Sequence, residues 1–150
     1  RFNRKRLYLS VIQDLYNGEI KAYQISRSQN QDLILKTLKK AINPNEDLSK
    51  LLIHSDQGIL YQSPKYRNYL KKSSFTQSMS AKGNAYDNAV VESFFGTLKC
   101  ETIYLQKVKS LSDLIRTIDE YIYWYNHDRI KLTLGGYSPI QYRLMNQQMI

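Results

Sequence analysis

At 150 residues the chain is long enough to bury the core of one compact unit and short for two. Lysine and arginine outnumber aspartate and glutamate 22 to 13, a formal charge of +9 spread along the chain, which predicts a cationic face on a folded domain and a polyanionic partner. A single cysteine, Cys100, excludes an internal disulfide or a multi-cysteine metal site, and no apolar run reaches the roughly 18 residues of a membrane span, so a soluble, intracellular protein is expected.

In chain order, Arg6 to Asp14 alternates Leu7, Leu9 and Val11 with Tyr8, Ser10 and Ile12, the period of a strand. Asn17-Gly18 predicts a tight type I′ turn, with Glu19 to Ile25 returning as the second arm of a hairpin. After the N-cap candidates Ser28 and Asn30, the positions of Leu33, Ile34, Leu38 and Ile42 predict an amphipathic helix that Asn43-Pro44 stops. Leu51-Leu52-Ile53 reads as a short buried strand that delivers Asp56 at its exit, in the turn His54-Ser55-Asp56-Gln57-Gly58. Ser63-Pro64 opens a short helix with Tyr66, Tyr69 and Leu70 on its apolar side, ending near Ser73. Phe75 to Met79 reads as a strand, Ser80 to Asn84 as a polar loop, and Tyr86 to Glu101 as a helix. A last long helix starts at Ser110, with Asp113 in an approximate capping box. It carries Leu111, Leu114, Ile115, Ile118, Ile122 and Tyr125, and is broken at Gly135-Gly136. This order predicts a mixed α/β domain with helices over a central sheet.

Two carboxylates stand apart by their settings: Asp56 at a strand exit, and Glu92 in a helix among Val90, Val91, Phe94 and Phe95, with 35 residues between them. In those settings His54-Ser55-Asp56-Gln57-Gly58, then Gly83 to Ala89, then Glu92-Ser93-Phe94-Phe95-Gly96-Thr97-Leu98-Lys99 resemble the catalytic core of DDE transposases of the insertion sequence three family, relatives of retroviral integrases. The hairpin from Leu7 to Ile25 and the late residues Trp124, Tyr125, Asn126, Arg129, Leu134, Gly135, Gly136, Ser138, Pro139 and Tyr142 extend the resemblance over nearly the whole chain.

The resemblance implies a ribonuclease H-like fold and one catalytic core domain over residues 1–150. It further implies two magnesium or manganese ions held by three carboxylates, of which Asp56 matches the second and Glu92 the third. Phosphodiester chemistry suits such a donor set, because paired hard cations activate an attacking oxygen and stabilise the leaving one, and they prefer oxygen ligands. Lys99 follows Glu92 by two helical turns, about 10 Å along the axis, and points the same way to meet DNA phosphates. Lys82, Asn84 and Asn88 are further candidate DNA contacts. The implied partners are transposon ends and target DNA, with a homo-oligomer as the active form in the bacterial cytoplasm, at the nucleoid, and no membrane.

Each residue also has a plainer reading. Asp56 taken alone suits an ordinary turn, Glu92 a solvated helix face and Lys99 an exposed cation. His54 and His127 read as packed or hydrogen-bonded residues, and Tyr121, Tyr123 and Tyr125 as core or interface. Asp14 reads as structural. The first carboxylate of the pattern belongs on a first strand just before the one at Arg6; this sequence has no such acid and is expected to lack that strand of the fold. Since the chain starts with arginine, coding sequence upstream is expected, and this stretch alone is expected to be inactive. The alternative is a catalytically inactive DNA-binding or assembly remnant; a nuclease acting on RNA–DNA hybrids or junctions fits the 35-residue spacing less well.

Overall fold

A computed structural model describes residues 5–81 and 88–148. By its internal contacts the chain divides into an α/β unit, residues 7–12 and 22–89, and a helical unit that among the described residues holds 5–6, 13–21 and 90–148. Among the described residues no helix is long and apolar enough to cross a membrane.

The predicted hairpin forms, with β1 at Tyr8–Gln13 paired to β2 at Ile20–Ser26. Its turn is not type I′. Gly18 has φ +78°, but Asn17 does not share the positive φ that such a turn requires. Four residues lie between Asp14 and Glu19, closed by bonds from Asp14 N–H to Glu19 O and from Gly18 N–H to Asp14 O, both 2.8 Å. The reason lies in Asn17, whose buried amide accepts from Glu19 N–H and donates to Pro139 O at 3.0 Å each, so its side chain cannot stand out of a two-residue turn. Gly18 supplies its positive φ without steric cost; a Cβ there would also come within 2.5 Å of Lys131 Nζ, the far end of a flexible side chain that would have to shift. Asp14 is structural as expected, its Oδ1 accepting from Tyr16 N–H.

In the α/β unit, α1 spans Gln31–Ala41 and is capped by Asn30, which accepts from Leu33 N–H. The strand β3 covers Leu52–Ser55, α2 Pro64–Lys72 and β4 Thr76–Met79. Leu35, Leu38 and Ile34 of α1 bury against Tyr66 and Leu70 of α2, with Ile53 and Phe75 packed alongside. Burial pushes the Tyr66 phenol up to about 12. β3 and β4 run parallel, Leu52 opposite Thr76 through Ser55 opposite Met79, with α2 as the crossover that parallel strands need. Among the described residues the strands form two two-stranded ladders. The prediction of a buried β3 is therefore corrected. Leu52 is 63% exposed, because among the described residues β3 pairs with β4 alone and is uncovered at its start.

The end of α2 is a complete left-handed stop. Ser74 adopts φ 63°, Phe75 N–H bonds back to Leu70 O, and Ser74 N–H bonds to Lys71 O. Phe75 then packs on the cluster containing Leu70. A serine holds the position that glycine fills without steric cost.

In the helical unit, α3 covers Ala89–Leu98 and continues as a π-helical turn over Lys99–Ile103, α4 spans Leu111–His127 and α5 Pro139–Gln147. The last long helix thus stops at His127, and Gly135 instead ends a separate 3-10 turn at Leu132–Leu134. The sequence reading also missed α5, although Ser138-Pro139 repeats the Ser63-Pro64 signal and forms a full capping box with Gln141. At Ser110 the capping box is only half made: Ser110 accepts from Asp113 N–H, but Asp113 accepts from Lys109 N–H rather than from the cap residue. Phe94 meets Tyr125 edge-on at 5.0 Å, and Ile118, Tyr121, Ile122 and Tyr125 are buried, whereas Tyr123 is 63% exposed on the opposite face of α4.

The π-helical turn directs Glu101 onto Arg129, whose Nε donates at 2.8 Å, while the Tyr121 hydroxyl donates to the same carboxylate at 2.8 Å. Hydrogen bonding from Arg129 above all holds the Glu101 carboxyl below its usual 4.5.

Two stability outcomes follow from this packing. Ser74→Gly is expected to stabilise the protein by about 1 kcal/mol, read as a higher calorimetric melting temperature, because it removes the left-handed strain of a side chain. Glu101→Gln is expected to cost about 1–2 kcal/mol at pH 7, since it weakens charge-assisted bonds that are only partly screened by solvent. Because the folded carboxyl titrates low, that contribution is complete above pH 4.5 and lost as pH falls through the lower folded value. Melting curves of wild type and Glu101→Gln should therefore converge in acid; a gap that stays constant to pH 3 contradicts the assignment.

Candidate active site

Asp56 leaves β3 on a short tether. Just past the end of β4, Ser80 is buried and its N–H donates to Ser55 O at 2.9 Å, while its carbonyl accepts from Gln57 Nε2 at 3.0 Å. His54 bridges the two strands, with Nδ1 3.0 Å from Ser78 Oγ and Nε2 3.0 Å from Ser80 Oγ. Residues 54, 55 and 57 are thus tied to β4 and its extension, and the Asp56 side chain faces solvent beside them. Both nitrogens of His54 are engaged, in keeping with its reading as a hydrogen-bonded residue rather than a ligand.

The Asp56 Oδ1 atom accepts from Gly58 N–H at 2.8 Å. A Cβ on residue 58 would sit 2.8 Å from that oxygen, so glycine is what allows the carboxylate to fold over its own turn. Among the described residues Oδ2 makes no hydrogen bond. The nearby phenol of Tyr61 is pushed above its usual value, first by burial and then by the Asp56 charge.

Glu92 belongs to the helical unit and lies on the exposed side of α3, while Phe94 and Leu98 turn the other side into the core. It has no hydrogen-bond or ion-pair partner among the described residues. Lys99, also exposed, begins the π-helical turn about 10 Å further along the axis. Between them on the same strip lies Gly96, where an added Cβ would meet no atom within 4 Å. Asn88 is half-buried immediately ahead of α3. Lys82 and Asn84 lie outside the described residues. Among the described residues no three His, Cys, Asp or Glu side chains converge in a way that could hold a metal ion. His127 is committed locally, its ring stacked on Tyr123 at 4.0 Å and its Nδ1 2.8 Å from Tyr123 O.

Solved structures share the fold. The catalytic core of HTLV-2 integrase, in its trimeric form with magnesium, superposes with a TM-score of 0.73 over 95% of this chain and 88% of its own, at 16% identity. The BIV integrase core gives 0.69 over 94% and 88%, at 18% identity. The architecture is that of the ribonuclease H-like integrase cores. Residues 1–85 and 92–147 each match a family described as integrase core domain. A transposase-like protein of Haemophilus influenzae is 46% identical over 138 residues, 92% of this chain and 63% of that protein. The transposase InsF of insertion sequence IS3A from Escherichia coli is 36% identical over 141 residues, covering 93% and 49%. The chain belongs to the integrase core domain family, within the DDE transposases of the insertion sequence three group. It spans about half to two thirds of the length of these relatives.

Gly96 yields a test that is independent of function. With open space at its Cβ and a position inside α3, Gly96→Ala is expected to stabilise the protein by roughly 0.5–1 kcal/mol, a rise of about 1–4 °C in melting temperature. A fall in melting temperature would show that the helix backbone there packs against something.

Proposed function

We propose that this chain is the catalytic core of a DNA transposase, cleaving transposon ends and joining their 3′-hydroxyls to target DNA. The supporting observation is the tethered presentation of Asp56: a carboxylate held out of the β3 exit by neighbours tied to Ser80, with one oxygen uncommitted among the described residues. Asp56 and Glu92 are the metal ligands on this reading. The donor set fits a hard divalent cation, because both side chains are exposed carboxylates and the adjacent imidazole is fully engaged elsewhere. Two magnesium or manganese ions, when bound, would supply activation of the attacking oxygen and stabilisation of the leaving one.

The protein's own contribution is orientation. The Ser80 tether fixes where the Asp56 carboxylate stands, and the Gly58 amide sets its rotation by holding one oxygen. Lys99 would hold a phosphate of the transposon end, with Asn88, Lys82 and Asn84 as further DNA contacts. Within residues 1–150 two of the pattern's three carboxylates are present, so these residues alone are expected to be inactive in strand transfer. The protein acts on DNA in the bacterial cytoplasm as a homo-oligomer; the HTLV-2 integrase cores, which share its fold, are described in dimeric and trimeric forms.

Asp56→Asn and Glu92→Gln, each in the full-length protein, are expected to lower end cleavage by on the order of a hundredfold or more while DNA affinity holds. Cleavage at the wild-type rate in either variant defeats the assignment of that residue. Loss of cleavage in wild type and both variants alike, with DNA binding intact, favours the inactive DNA-binding remnant.

A further inference from the structure

The chain's positive charge is concentrated in one place. The helices α1 and α2 contain Lys36, Lys39, Lys40, Lys65, Arg67, Lys71 and Lys72 against a single acid, Asp32, and all eight side chains are exposed. Twenty residues therefore hold a net six of the chain's nine positive charges. The two helices are one surface within the α/β unit, packed through Leu35, Leu38, Tyr66 and Leu70. They run side by side in the same sense: Lys65 pairs with Asp32 near one end, and Lys39 lies 5.5 Å over the ring of Tyr69 towards the other.

Like charges at this density repel one another and lower stability unless an anion joins them. The field is visible at Asp32, whose carboxyl is held below its usual value first by the hydrogen bond from Lys65 and then by the charges of Lys65, Lys36 and Lys39. The outward faces expose no large apolar side chain, so they lack what a membrane-surface helix needs. Lysine dominates, which suits point contacts to phosphates rather than reading of base edges.

We propose that the α1–α2 face binds duplex DNA through its phosphate backbone, without regard to sequence, as a second contact surface distinct from the strip carrying Glu92 and Lys99. This rests on the transposase reading for the choice of DNA. A surface that ignores sequence fits target DNA, which a transposase must hold at many different sites, better than the defined transposon end.

The test uses the full-length protein and a labelled 30-base-pair duplex lacking transposon-end sequence, with affinity measured by fluorescence anisotropy from low to moderate salt. Replacing Lys36, Lys39, Lys40, Lys71 and Lys72 by glutamine is expected to weaken binding at least tenfold. The salt slope should fall by roughly 0.9 for each phosphate that is no longer neutralised, up to about four in all. Replacing the same five by arginine should keep both quantities near wild type. Lys107→Gln with Lys109→Gln, a charge change elsewhere, should move the slope far less. Because the five positions are exposed, circular dichroism should show an unchanged fold. An unchanged slope in the glutamine variant overturns the proposal, and so does equal affinity for a duplex RNA of the same length. If the glutamine variant binds like wild type while Asp56→Asn is inactive, the surface fails alone; if Asp56→Asn cleaves normally, the catalytic reading fails and the surface is judged on its slope.

Discussion

What the site requires is concentrated at Ser80. A carboxylate at a strand exit would ordinarily swing with its loop, because a two-stranded parallel ladder of four residues per strand is a weak platform. Here the exit is tied down by backbone and side-chain bonds that converge on one buried serine. His54 adds a bridge from the strand two residues before Asp56. The result is that residues 54, 55 and 57 are held to β4 and its extension, while the Asp56 carboxylate stands exposed with one oxygen fixed by the Gly58 N–H.

The helical unit solves the matching problem for Glu92 by other means. No hydrogen bond among the described residues holds its side chain; the helix itself is held, through Phe94 against Tyr125 and through the Glu101–Arg129–Tyr121 group one turn past its end. Changing from α to π winding at Lys99 is what turns Glu101 towards α4. The Glu92 carboxylate is thereby left bare among the described residues, while the Glu101 carboxylate, nine residues on, is fully engaged in structure. The two have the same chemistry and opposite settings, and only their placement on the helix separates them.

Much of this was legible in the sequence, for physical reasons that differ by element. Asn30, Ser63 and Ser110 announce their helices because an N-cap is a local contact of three or four residues. Asp56 and Glu92 stood out because strand exit and apolar helix context are also local. What failed was decided over long distances or by absent neighbours. Asn17 has its partner at Pro139, which no turn rule can see, and Leu52 is apolar yet uncovered because burial belongs to the pairing and not to the residue. The Ser138-Pro139 helix start carries the same local signal as Ser63-Pro64, but it stands just behind a glycine pair that predicts a break in the long helix. The cationic face needed the fold outright. The chain shows an even spread of charge, and only the packing of α1 on α2 gathers it.

The hairpin carries one more device. Asn126 of α4 lays its side-chain amide against Ile20, accepting from the backbone N–H at 2.9 Å and donating to the carbonyl at 3.0 Å. A single side chain thus imitates the peptide group of a neighbouring strand at the open margin of β2. Any foreign strand seeking to zip onto that margin finds its first pair of sockets already filled, so the amide acts as a stopper against one copy chaining edge to edge onto the next.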